Sequence, residues 1–166
     1  MDPVNIHASC VLLAQAGHPF GLYYSGVLLL GPSGAGKSDL ALRLIDRGGL
    51  LVSDDRTDLT VRDDKLFASV PSSLAGLIEV RGVGIIKLSY EREAQIAMVV
   101  ELVAPDAVPR MPEPARFAPP APLVLSEAAR PPLIKINALE ASAQAKVLWG
   151  VFALTPNPVH DAVKNL

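Results

Sequence analysis

The chain is short of the residues on which several kinds of chemistry depend. It has one cysteine, Cys10, among 166 residues, which excludes an internal disulfide framework and fits a reducing compartment. Cys10 lies in the apolar run ASCVLL, the setting of a buried small side chain rather than of a nucleophile. Charge is sparse as well. Charged residues make up 19% of the chain and the net charge is -2, so there is no electrostatic footprint for nucleic acid or an anionic membrane. No apolar run approaches the roughly 18–20 residues of a membrane span. The first ten residues, MDPVNIHASC, lack the basic stretch and apolar core of a secretory signal. These absences predict a soluble, cytoplasmic protein. There is no internal repeat and no clear domain boundary, and the chain is long enough for one domain with a real core, taken as residues 1–166.

What is present is a series of short apolar runs punctuated by glycine and proline. IHASCVLL (6–13), GVLLLG (26–31), LLVS (50–53) and IAMVVELV (96–103) read as buried strands. The glycines and proline of AQAGHPFGLYYSG suggest a hairpin-like loop between the first two. From Lys37 to Arg47 the residues Leu40, Ala41, Leu44 and Ile45 share one helical face, and Gly48 and Gly49 supply the stop. LTVRDDKLFASV (59–70) reads as a hairpin with an exposed tip at Asp63-Asp64. Nine prolines between Pro105 and Pro132 exclude continuous helix or central strand there. ASAQAKVLWGVFAL (141–154) reads as an amphipathic helix with Trp149 in the core.

The segment GPSGAGKS, Gly31 to Ser38, fits G-x-x-x-x-G-K-[ST] in full, with a strand before it and a helix after it. Gly31, Gly34 and Gly36 let the backbone curl until successive N–H groups face one anion, and Pro32, Ser33 and Ala35 complete the loop. The helix N-terminus adds partial positive charge. Lys37 places an ammonium on the β- and γ-phosphates, and Ser38 offers a hydroxyl to a metal ion. An incidental strand-turn-helix connection would not need the whole motif. A nucleotide-binding loop is therefore predicted.

An acidic pair, Asp54 and Asp55, ends the strand that follows the loop's helix. If that strand lies beside the first, its carboxyl end opens onto the same crevice as the phosphates. A carboxylate there can hold Mg2+ or accept a proton from an attacking hydroxyl, and because strand side chains alternate the two need not share a role. In IEVRGVGIIKL, Glu79 and Arg81 stand among apolar neighbours; they are read either as a structural ion pair or, for Glu79, as a metal-organising carboxylate. His7, alone at a strand start, reads by its chemistry as structural.

Taken together, GPSGAGKSDLALRLIDRGGLLVSDD and IEVRGVGII resemble the catalytic domain of HPr kinase/phosphorylase, from about His7 to Leu88. The resemblance implies an α/β fold: a single P-loop domain related to the nucleotide domain of phosphoenolpyruvate carboxykinase, with a mixed sheet and flanking helices. It implies an ATP- and Mg2+-dependent serine kinase acting on the phosphocarrier HPr, which also removes that phosphate by attack of inorganic phosphate. Under it, Gly31, Pro32, Ser33, Gly34, Ala35, Gly36, Lys37 and Ser38 bind the nucleotide phosphates, and Ser38 and Glu79 face Mg2+. Asp55 matches the family's base and acid, and Lys37 and His7 match its remaining catalytic residues. The assembly implied is a homo-oligomer, usually a hexamer. This chain departs from the pattern at Asp39, where the family has glutamate, at Gly49, where it has histidine, and in lacking the C-terminal PGRN segment. Arg110, Arg116 and Arg130 are candidates for the arginine of that segment. A kinase of a small metabolite and a nucleotide-sensing module without turnover are the competing readings; a GTPase is disfavoured by the absence of an N-K-x-D segment.

Overall fold

The structure is a computed structural model and describes residues 2–15 and 23–155. In chain order its elements are β1 (Val4–Ile6), β2 (Ser9–Gln15), β3 (Tyr23–Leu30), α1 (Lys37–Asp46), β4 (Leu50–Ser53), β5 (Thr57–Arg62), β6 (Lys65–Ser69), β7 (Leu77–Val80), β8 (Gly84–Lys87), β9 (Glu93–Leu102), β10 (Ala115–Arg116), β11 (Pro132–Ile136) and α2 (Ala143–Leu154). The fold is α/β with a mixed sheet, as expected. β2 and β3 pair antiparallel, as a hairpin would require, although the centre of their connection lies outside the described residues. Among the described residues no helix is long and apolar enough to cross a membrane.

The main sheet has the order β1-β5-β6-β9-β3-β2-β4. β9 is the long central strand. One edge of it pairs parallel with β3, while its other edge pairs first with β6 and then, from Val99 to Leu102, in parallel with β11. The pairing of β3 with β9 shifts register between Gly26 and Val27, so Ile96 and Met98 face opposite sides of the sheet. Only glycine fits at position 26, because a Cβ there would lie 2.4 Å from the Gln95 carbonyl oxygen.

Alternation along the strands builds two cores. Val11, Val27, Leu29, Met98 and Val100 face α1 and α2, while Cys10, Leu28, Val52 and Val99 face the other way. Both α-helices flank the sheet on the same face. The second face is covered by residues of β5 and β6 and by Leu123 and Leu125 of the proline-rich segment, which is irregular but ordered. Its anchor is the β5–β6 turn. Asp63 and Asp64 both have positive φ, 49° and 55°, as a two-residue hairpin turn requires. Asp64 is no idle tip: its carboxylate accepts the Ser126 N–H at 2.8 Å and the Ser126 hydroxyl at 2.5 Å, and these bonds hold its pKa below the ordinary value.

Three expectations fail here. IHASCVLL is not one strand: β1 pairs with β5, β2 pairs with β3 and β4, and the chain breaks between them at His7 and Ala8. β4 is not next to β3, because β2 runs antiparallel between them. Trp149 is not core. It is 68% exposed, edge-to-face with Phe152 at 5.6 Å, and Leu148 and Leu154 are exposed beside it. α2 is apolar nearly all round, and Ala143, Val147 and Val151 are the part it buries.

Candidate functional site

The topology gathers the chemistry at one edge of the sheet. β3 and β4 both run antiparallel to β2, so their carboxyl ends emerge on the same side, about 10 Å apart with one strand between. The amino end of β2 lies in that gap. His7, just before it, is thus brought between the phosphate loop and the acidic pair, which is the structural meaning of the break after β1. β9 and β11, parallel to β3, end on the same side.

Gly36 caps α1 with φ +94°, and its carbonyl accepts the Leu40 N–H at 2.9 Å. A Cβ at Gly36 would come within 2.9 Å of Ala138 Cβ, so both the dihedral and the close approach require glycine. Lys37 is buried and donates to the carbonyls of Gly31 and Pro32 at 2.7 and 3.0 Å. Burial lowers its pKa, against the raising influence of Asp55 and then Asp54. An ammonium held this way, satisfied only by its own loop, gains from an anion that enters beside it.

The two aspartates face different surroundings. Asp54 is buried; its Oδ1 accepts the hydroxyls of Ser9 and Ser38, both at 2.7 Å, and its Oδ2 accepts the Glu79 N–H at 3.2 Å. It ties together β2, α1 and β7. Behind it, Thr57 donates to the Ala8 carbonyl at 2.9 Å and Ser53 to Thr57 at 2.7 Å, so the chain leaving β4 is anchored to the start of β2. Asp55 is the centre of a one-residue turn, φ +64°, closed by the Arg56 N–H on the Asp54 carbonyl at 2.7 Å. That strained turn swings the Asp55 carboxylate outward to His7, whose Nε2 lies 2.9 Å from Asp55 Oδ1.

His7, Lys37, Ser38, Asp55 and Glu79 line one open cleft of about 480 Å3, together with Ser33, Gly34 and Gly36 of the loop. Gly31, Pro32 and Ala35 shape the loop without lining the cleft. Glu79 and Arg81 are both exposed, so the burial expected of them is absent, and no ion pair joins them among the described residues. The β7–β8 hairpin stands off the main sheet and leaves both side chains open to the cleft. Arg81 is the arginine that lines it. Arg116 sits opposite Pro132 and donates to the Arg130 carbonyl at 2.7 Å, at the start of β11, the sheet edge away from the loop. Arg110 does not line the cleft either.

Sequence reasoning left Asp54 without a role of its own and missed Arg81, Leu42 and Leu139 as lining residues. For Leu139 there was no signal, because its place depends on β11. The donor set at Ser38 and Glu79 fits a hard cation. Ser38 directs its proton to Asp54 and keeps its lone pairs for a metal, and an exposed carboxylate faces the same space. Among the described residues no three acidic, histidine or cysteine side chains cluster for a metal.

A mixed sheet presenting a glycine-rich loop, a buried lysine and an acidic turn at one edge defines a phosphate-handling class of α/β protein. The family model of the HPr Serine kinase C-terminal domain matches residues 14–113, and the chain belongs to that family. It is 48% identical over 66 residues to the HPr kinase/phosphorylase of Lactobacillus johnsonii, covering 39% of this chain and 21% of that protein. The Thermoanaerobacter sp. (strain X514) HPr kinase/phosphorylase is 42% identical over 89 residues, 49% of this chain and 29% of that protein. The matched span is thus less than a third of these curated relatives. The solved HPr(Ser) kinase/phosphatase of Coxiella burnetii superposes with a TM-score of 0.69 at 25% identity, over 98% of this chain and 99% of that one.

Proposed function

We propose that the chain is a cytoplasmic serine kinase, acting as one catalytic domain, that transfers the γ-phosphoryl of ATP to an HPr-like phosphocarrier. Family membership supports the class. The observation that carries the reading is Asp55, an outward-facing carboxylate on a strained turn, in the same cleft as the lysine of a complete phosphate loop. In the forward direction the substrate serine oxygen attacks the γ-phosphorus as the bond to the bridging oxygen breaks and ADP departs. Asp55 takes the serine proton, and His7 holds the carboxylate in place. Lys37 and Arg81 face the phosphoryl oxygens whose charge is redistributed. Ser38 and Glu79 would hold Mg2+, with Asp54 orienting Ser38; the ion would supply charge neutralisation of the phosphates. In reverse, inorganic phosphate attacks the phosphoserine, Asp55 returns a proton to the serine oxygen and pyrophosphate leaves. The apolar outer face of α2 supports self-association, with a hexamer as the assembly to test by light scattering.

The experiment is incubation of the purified chain with Mg-ATP and HPr, read by intact mass, followed by added inorganic phosphate. The expected result is one phosphoryl group on a serine of HPr, removed again with release of pyrophosphate. Asp55→Asn should slow the forward reaction by about 10²–10⁴-fold while leaving nucleotide bound, since asparagine also tolerates positive φ. Unmodified HPr in the presence of bound ATP would discard the protein-kinase reading in favour of a nucleotide sensor or a small-metabolite kinase.

A further inference from the structure

The cleft is mixed in character. Asp55, Glu79 and Arg81 line it, and so do two apolar side chains, Leu42 and Leu139. We propose that these two leucines form the subsite for the base of the bound nucleotide, an inference that rests on the nucleotide-binding reading above.

Leu139 is 83% exposed, yet its backbone is tethered. Its N–H donates to Asn137 Oδ1 at 3.0 Å, and the buried Asn137 donates from Nδ2 to the Val103 carbonyl at 2.8 Å, fastening the loop to the carboxyl end of β9. The preceding residue, Ala138, seats against Gly36 of the phosphate loop. A large apolar side chain is therefore presented to water on a fixed loop, one residue from the phosphate cradle. Leu42 lies one turn beyond Ser38 on α1, about 6 Å along the axis. It is half-buried, with its remaining surface on the cleft.

The charge beside these leucines is spent internally. Asp39, the acidic residue beside Leu42, is paired with Arg43 at 3.0 Å, and the same guanidinium donates to the Ala138 carbonyl. Beside this ion pair, whose Asp39 also lines the cleft, the two leucines offer apolar surface that suits the flat face of a heterocycle. The polar side chain beside the leucines is the Asp39 carboxylate, and it is held by Arg43 rather than aimed at a base. The subsite grips a purine by its faces and discriminates weakly between adenine and guanine.

Calorimetric titration of the wild type and Leu139→Ser with Mg-ATP, Mg-GTP and Mg-tripolyphosphate tests this. Leu139→Ser should weaken ATP and GTP alike by about tenfold, the loss expected of a partly buried leucine, and leave tripolyphosphate within about twofold. Leu139 is exposed and can be replaced without unfolding the chain; at the half-buried Leu42, Leu42→Ala, with its fold checked by far-UV circular dichroism, should repeat the pattern. Equal weakening of tripolyphosphate would overturn the proposal, because the leucine would then be shaping the cradle. So would unchanged ATP affinity in the variant, or a wild type that prefers ATP to GTP by more than about tenfold. A wild type that binds tripolyphosphate but no nucleotide would overturn it too, whereas failure to bind any of the three removes the nucleotide reading itself.

Discussion

Replacing Asp54 by alanine should cost this fold more than any other single change in its acidic pair. The Ser9 hydroxyl is fully buried and donates to Asp54, so removing the carboxylate leaves that donor without a partner, at about 1–3 kcal/mol. Ser38 and the Glu79 N–H lose the same acceptor but can reach water, at about 0.5–1.5 kcal/mol each. Together these predict destabilisation of about 2–6 kcal/mol. Asp54→Asn keeps an oxygen for the two hydroxyls. It loses the charge on those bonds and turns an amide donor toward the Glu79 N–H, so about 1–2 kcal/mol is expected. Urea unfolding followed by far-UV circular dichroism reads both numbers, with an unchanged m-value as the sign that only stability has moved. If the alanine variant is no less stable than the asparagine one, or if both lie within about 0.5 kcal/mol of the parent, the bonds to Asp54 do not hold this edge together.

Lys37→Met should weaken nucleotide binding by about 10–100-fold, the worth of a charge-assisted contact, as measured by calorimetry. Because burial lowers the Lys37 pKa, the parent should lose affinity as pH rises at values below the ordinary 10.5. In the same window the unfolded chain still holds the proton that the folded chain releases, so stability contributed by this residue rises with pH, and Lys37→Met should abolish that rise. At the other end of the molecule, Asp64→Asn should release Ser126 and raise the rate of proteolytic nicking within residues 117–126 by a few-fold. Since the bonds from Ser126 hold the Asp64 pKa down, the protection they give the parent is present above the ordinary value of 3.8. It is lost as pH falls through the lowered one, and the variant should lack this dependence. Equal nicking rates in parent and variant would mean that the segment is held elsewhere.

Elements whose signal is local were legible in the sequence. The runs at 26–31, 50–53 and 96–103 are apolar on both strand faces because both faces of this sheet are buried, and the loop, α1 and its glycine stop follow from backbone requirements. That Asp54 and Asp55 differ in surroundings was foreseen from alternation, but the cause is the turn at Asp55, beyond the end of β4, which no local signal marks. Pairing was not legible either. That β2 separates β3 from β4 depends on contacts made after the chain has turned, and nothing in IHASCVLL marks the break at His7. β11 was hidden by the proline that begins it, which is tolerated because the residues pairing with β9 come after it. The exposure of Glu79 and Arg81 was obscured by their apolar neighbours, since a hairpin standing off the main sheet gives charged residues solvent without changing their sequence surroundings.

The chain's single tryptophan, Trp149, stands in water on the outer face of α2 and does not line the cleft. Its fluorescence is therefore a gauge of what touches that helix. A bare face gives red-shifted emission open to quenching by acrylamide; a covered one gives blue-shifted, shielded emission. With no second indole in the chain to mix with the signal, one cuvette follows contact at α2 while the cleft is titrated.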